Sequence, residues 1–275
     1  MNKKISIVIV TKNNLLEKSF SLAYVLKSIE FQHYKNHEVI LVNDGGTDKT
    51  IQNISDMFKH IKVVTPGKLK GNIGGLRNVG AKHSTGDVIL FVDDDTVFTD
   101  IDVLEKISIL TDKYDFLCGA HRYWTSIYWY KNICLDQTIS STIRTLLEIS
   151  TLPCGIDRKI GFRDLNEYTF IGNFGAIRKE AFDLTGGFNE SFAGWGLEDT
   201  EYIMRLCTGN LKYKILSEEG ISVIHLTHVA ENFSNYIDNL RKFNDIEMLQ
   251  GKLFHINHFF GVYEADGYEL FTDIR

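Results

Sequence analysis

The sequence predicts an α/β protein built on a parallel, doubly wound sheet. Two observations carry this. Short β-branched runs alternate with segments of helical apolar spacing through the first half, and a polar or acidic cluster follows three of the four runs. Ile5–Val10 is an unbroken apolar run, the mark of a strand buried on both faces. Leu15–Gln32 places Leu15, Leu22, Val25, Leu26 and Ile29 at helical spacing. Glu38–Val42 is the second strand, and Thr47–Phe58 a helix capped by Thr47 or Asp48. Ile61–Val64 is the third strand, Ile73–His83 a helix, and Val88–Val92 the fourth strand after a Gly86-Asp87 turn. Right-handed crossovers place the strand C-termini on one edge, where open α/β sheets bind ligands.

The second half is less regular. Asp136–Ile149 is expected as a helix, Tyr168–Ile177 as a strand with a glycine break, and Lys179–Leu184 as a short helix. Glu198–Leu206 follows as a helix, Lys212–Leu216 and Ile221–His225 as strands, and Asn232–Gln250 as a long helix. The sequence contains no internal repeat and no low-complexity segment.

Composition narrows the function. The 275 residues are 44% hydrophobic and 24% charged, which excludes a disordered chain. A net charge of −6 gives no basic field for a polyanion, so nucleic acid is not expected as a partner. The four cysteines form no CxxC pair, and the six-residue run Ile5–Val10 is too short for a signal-peptide core. No stretch approaches the roughly 20 apolar residues of a membrane helix. The expectation is a cytoplasmic protein with reduced thiols, with peripheral contact at the inner face of the membrane left open.

Each polar cluster admits two readings. Asp93-Asp94-Asp95 is either a site where Mg²⁺ or Mn²⁺ neutralises repelling carboxylates, or a solvated acidic turn. Asp44, before Gly45-Gly46, either accepts from a base N–H or caps the next helix. The stretch Lys70–Asn78 either closes over a pyrophosphate or leads into a helix. Gly194-Trp195-Gly196-Leu197-Glu198-Asp199 suits a sugar ring, with Trp195 stacking and the acids bonding hydroxyls; otherwise Trp195 is core and the acids favour a helix start. His225, with His228 nearby, is a metal ligand or a structural histidine.

In this order the clusters resemble family 2 glycosyltransferases of the GT-A fold, over roughly Ile5 to His228. SIVIVTKNN is similar to the opening strand and nucleotide-contacting turn, with Val10 and Lys12 where the family usually has Pro and Tyr. VNDGGTDKT resembles the turn that carries the uracil-binding aspartate, and GGLRNVGAKHSTGDVILFVDDD the run from an Arg-Asn helix to the DxD motif. IGNFGAIRKEAFDLTGGFNESFAGWGLEDTEYIMRL is similar to the segment shared by galactosyl-, N-acetylgalactosaminyl- and chondroitin-type transferases.

The resemblance implies a Rossmann-like nucleotide-binding half with a mostly parallel twisted sheet, fused to an acceptor-binding half. Residues 1–230 would form the GT-A domain and 231–275 a helical extension packed on it. Thr11, Asn13, Asp44, Arg77, Asp93 and Asp94 take the donor, while Asp95 and His225 (or His228) take Mn²⁺ or Mg²⁺. Gly172, Asn173 and Trp195 meet the sugar or acceptor. Asp199 is the catalytic base, beside Glu198. The implied reaction is inverting transfer from a UDP-sugar to a carbohydrate or glycoconjugate hydroxyl. A nucleotide-sugar-forming nucleotidyltransferase is the alternative enzyme, although Thr11–Leu15 lacks the glycine-rich loop expected there. A non-catalytic nucleotide- or carbohydrate-binding module is the other alternative.

Overall fold

Four strands form as their apolar runs predict. In a computed structural model that describes residues 3–18, 20–69, 71–125, 171–194, 196–226 and 236–246, they are β1 (Ile5–Thr11), β2 (His37–Asn43), β3 (Ile61–Val64) and β4 (Val88–Asp93). They run parallel in the order β3-β2-β1-β4. The register sets Thr11 beside Asn43, and Val10 beside Asp93, so the polar strand ends share one edge.

Beyond β4 the sheet departs from a parallel, doubly wound pattern. β8 (Gly175–Arg178) runs antiparallel to β4, β6 (Phe116–Cys118) antiparallel to β8, and β9 (Tyr213–Ile215) parallel to β6, giving seven strands. A second sheet has the order β5 (Thr96–Phe98), β10 (Ser222–Leu226), β7 (His121–Thr125). Its β10–β5 pairing sets His225 opposite Thr96 and so beside the acidic end of β4.

Several helices differ from their periodicity. Leu15–Gln32 divides into α1 (Asn14–Glu17) and α2 (Ser21–Glu30), with Phe20 between them at φ 60°. The buried Asn14 side chain makes the break: its Nδ2 donates to Ser21 Oγ (3.0 Å) and its Oδ1 accepts from Leu22 N (2.9 Å). The second helix, α3 (Thr50–Met57), starts three residues late, because the Thr47 and Asp48 amides donate to Asn13 Oδ1 instead. Helix α4 (Ile73–Lys82) is capped by Asn72, whose Oδ1 accepts from Gly75 N at 2.8 Å. Helix α5 (Val103–Leu110) is one that the periodicity does not single out.

In the segment read as a glycine-broken strand, Ile171–Phe174 is a helical turn, α6, and the strand begins only at Gly175. Helices α7 (Lys179–Thr185) and α8 (Glu198–Thr208) follow as expected, and α9 (Tyr236–Asp245) lies within the long C-terminal helix pattern. The helix expected at Asp136–Ile149 lies outside the described residues. Among the described residues no helix is long and apolar enough to cross a membrane.

The sheet separates two apolar layers. Ile5, Ile7 and Ile9 of β1 face one, with Val25, Leu26 and Ile107; Val8 faces the other, with Phe91, Phe188, Tyr202 and Phe243. Gly80 lets α4 lie directly on β1, since a Cβ there would stand 2.2 Å from Val8 Cγ1. Gly80→Ala should therefore cost about 1–3 kcal/mol. Urea denaturation checks this, and an unchanged midpoint would contradict the close approach.

Candidate active site

The sheet edge gathers the acidic cluster together with the cations Lys18, Arg77 and Arg122. Asp94 is buried and turns its carboxylate into the protein: Oδ2 accepts from Thr11 Oγ1 (2.6 Å) and Asn14 Nδ2 (2.9 Å), and Oδ1 meets Lys18 Nζ at 2.8 Å. Lys18 Nζ also lies 3.1 Å from Asp95 Oδ2, and Asp95 Oδ1 lies 3.5 Å from His225 Nε2. Asp94 thus knits the β1 turn to the end of β4, and Asp95 faces both an ammonium and an imidazole.

Arg77 of α4 spans from this edge to the start of α8. One end donates to Asp93 Oδ1 (3.1 Å), the other to Glu198 Oε1 (2.9 Å), and the guanidinium lies 5.4 Å from the centre of the Phe188 ring. Burial opposes its charge, but Asp93, Glu198 and Asp199 together raise its pKa. Burial pushes Glu198 up to about 7, with Asp199 adding and Arg77 opposing. Burial likewise pushes Asp93 up to about 6, against Arg77 and with help from Asp95. Glu198 Oε2 is buried with no hydrogen-bond partner among the described residues. Arg122 of β7 acts on the same acids: burial lowers its pKa, while Asp95, Asp93 and Asp199 favour its charge.

Asp44 lies further along the edge, almost fully buried, and accepts from Gly71 N at 2.9 and 3.1 Å. Lys12 Nζ stands 3.9 Å away. Asn13, at φ 45°, binds the Thr47 and Asp48 amides through Oδ1 and Glu17 through Nδ2, so in this structure it joins the turns after β1 and β2.

The turn before α8 has Gly194, Gly196 and Leu197 at positive φ. Asn239 of α9 grips it on both sides: Nδ2 donates to Ala193 O (2.9 Å) and Gly196 O (3.0 Å), and Oδ1 accepts from Ala193 N (3.2 Å). Gly194 N donates to Gly71 O at 2.7 Å, which links this turn to the loop at Asp44. Asp199 follows, partly exposed, with Oδ1 accepting from Thr200 N at 2.8 Å. Asn173 is buried in α6, and a Val92–Phe174 bridge sets that turn, with Gly172, against β4.

Two sets of contacts thus meet at the end of β4, Asp93–Arg77–Glu198 and Asp94–Lys18–Asp95–His225, while Asp44 and Asn13 hold the neighbouring turns. Trp195, His228 and Lys70 lie outside the described residues. Lys18, Asn14, Arg122 and Asn239 are residues that sequence reasoning misses. Lys18 had one signal: three adjacent acids at a buried strand end need a nearby cation.

Among the described residues no three His, Cys, Asp or Glu side chains group to hold a metal by themselves. Asp95 and His225 offer one oxygen and one nitrogen donor. That pair would suit an Mn²⁺-like ion.

Two family models match the chain: glycosyl transferase family 2 over residues 6–184, and the N-terminal domain of galactosyltransferase over residues 159–229. A Campylobacter jejuni GalNAc(5)-diNAcBac-PP-undecaprenol beta-1,3-glucosyltransferase is 26% identical over 196 residues, 70% of this chain and 56% of that one. The chain spans less than two thirds of the length of the curated relatives it matches. Among solved structures, S. aureus TarS 1-349 in complex with UDP aligns with a TM-score of 0.61 at 17% identity, over 93% of this chain and 72% of that one. GalNAc-T7 with UDP, GalNAc and Mn²⁺ aligns with a TM-score of 0.61 at 14% identity, over 89% and 48%. These likenesses give the fold, GT-A. The family match runs from the first strand through β4 and its acidic end to α7, and the chain belongs to glycosyl transferase family 2.

Proposed function

We propose that the chain is an inverting, metal-dependent glycosyltransferase that moves a sugar from a UDP-sugar to an acceptor hydroxyl on a glycan, a lipid-linked sugar or a peptide. The observation that carries this is the Arg77 bridge. It ties the acidic strand end, beside Asp95 and His225, to Glu198 at the start of α8, next to Asp199. Neighbours of the same fold hold UDP or GDP-Man, and two of them hold Mn²⁺.

In this reading Asp95 and His225 hold Mn²⁺ or Mg²⁺. The ion supplies positive charge that offsets the negative charge growing on the leaving diphosphate. Asp44 accepts from the uracil N–H once its bond to Gly71 opens, and Thr11, Asn13, Arg77, Asp93 and Asp94 shape the donor side. Asp199, in the first turn of α8, takes the acceptor proton. Gly172, Asn173 and Trp195 form the acceptor side. Of the helical extension expected over 231–275, α9 (Tyr236–Asp245) carries the buried Phe243, which supports packing on the 1–230 domain; residues 231–235 and 247–275 lie outside the described residues. We place the enzyme in the cytoplasm, at the inner membrane face when its acceptor is lipid-linked.

The test is incubation with UDP-glucose, UDP-galactose, UDP-N-acetylglucosamine and UDP-N-acetylgalactosamine, with Mn²⁺, reading free UDP. At least one donor should release UDP, and chelation should stop the release until Mn²⁺ is restored. Silence with all four donors would overturn UDP-sugar transfer among these hexosyl donors. Full release under chelation would overturn the metal.

A further inference from the structure

We propose that Lys18 is a resident counter-cation of the acidic strand end, one that competes with the divalent metal for Asp95. The inference rests on the metal reading above. Lys18 Nζ sits 2.8 Å from Asp94 Oδ1 and 3.1 Å from Asp95 Oδ2, and its side chain is 12% exposed. It therefore bridges two of three consecutive acids in a site largely shut off from water.

The two bonds are unequal in kind. Asp94 keeps Thr11 and Asn14 as partners whatever Lys18 does. Asp95 differs, because its other oxygen points at the His225 imidazole. Arg77 cannot take over, since its two ends already serve Asp93 and Glu198. Lys18, 3.1 Å from Asp95 Oδ2, therefore shares that carboxylate with Arg122 of β7, whose charge Asp95 also favours, and with any metal that binds there. An ammonium and a divalent ion on one carboxylate repel each other, so binding of the ion weakens the Lys18–Asp95 contact, and that contact weakens binding of the ion.

Lys18 has the means to yield. An ammonium is a compact point charge on a flexible four-carbon stem, which can keep Asp94 while leaving Asp95. It stands directly after the four-residue α1 and before the left-handed Phe20, so no long helix fixes its direction. In this arrangement Lys18 keeps the carboxylates from repelling before the metal arrives and sets an upper limit on metal affinity.

The experiment titrates Mn²⁺ into the full chain without nucleotide and reads free aquo-Mn²⁺ by electron paramagnetic resonance. Lys18→Met should bind Mn²⁺ about 10–100-fold more tightly than wild type, a common range for coupling between two ligands. Lys18→Arg retains the charge and should stay within about threefold of wild type. Metal-free Lys18→Met should also melt below wild type and gain more from added Mn²⁺. If Lys18→Met does not stay folded without metal, Lys18→Gln serves in the same titration. Wild-type binding with equal or weaker binding by the neutral variant would overturn the role of Lys18 alone. No Mn²⁺ binding by any form, together with chelator-resistant UDP release, would overturn the metal reading beneath it.

Discussion

Asp199→Asn should lower turnover by roughly 10²–10⁴, the usual effect of losing a general base, while UDP and Mn²⁺ affinities stay near wild type. The substitution keeps the side chain's size and removes its basicity. It also keeps an oxygen for the Thr200 amide, which now meets Asp199 Oδ1 at 2.8 Å, so the start of α8 should hold. If Asp199 only favours the helix start, the change instead costs about 0.5–2 kcal/mol of stability and leaves chemistry alone. Single-turnover transfer at saturating donor separates the two outcomes. Near-normal turnover in the folded variant would remove Asp199 as the base.

Arg77→Met should destabilise the fold by about 3–5 kcal/mol at pH 8, the usual effect of breaking a buried ion pair from one side. Glu198 is left without its cation, on a side chain whose second oxygen already has no hydrogen-bond partner among the described residues. The loss should be smaller at pH 6. In the wild type, burial raises Glu198 from 4.5 to about 7, so between those values the folded protein holds more proton than the unfolded chain. Stability from this group therefore falls as pH rises through that window and levels off above it. Without Arg77 the Glu198 pKa climbs further, so at pH 6 the acid is neutral and little unpaired charge is buried. Urea denaturation at pH 6 and pH 8 checks the prediction. Equal losses at both would show that Glu198 does not carry the effect.

Strands β1 to β4 were legible because burial on both faces forces continuous β-branched runs, and their parallel order follows from the helices between them. Strands β9 and β10 were also legible, at Lys212–Leu216 and Ile221–His225, whereas β6 was not, because it is a three-residue strand whose place depends on pairing with distant chain. The break after α1 was hidden for a related reason. Asn14 gives up helical continuity for bonds to Asp94, which lies 80 residues away, and no local period records that.

The site divides in the same way. The acids and His225 stand out because they sit at strand ends or beside glycine turns, and Arg77 because it lies in the glycine-rich stretch Lys70–Asn78. Lys18 and Asn239 carry no such punctuation. Their roles come from tertiary contacts alone, one with carboxylates on another strand and one with backbone 43 residues earlier in the chain.

That last contact bears on how the protein is made. The turn from Ala193 to Gly196 is closed by Asn239, which is added to the chain 43 residues after Gly196. At about 5–20 residues per second, this is a delay of several seconds. A nascent chain passes through a stage in which strands β1 to β4 are complete and the turn before α8 still lacks Asn239. The turn that leads into Glu198 and Asp199 is thus completed late in synthesis, when α9 docks.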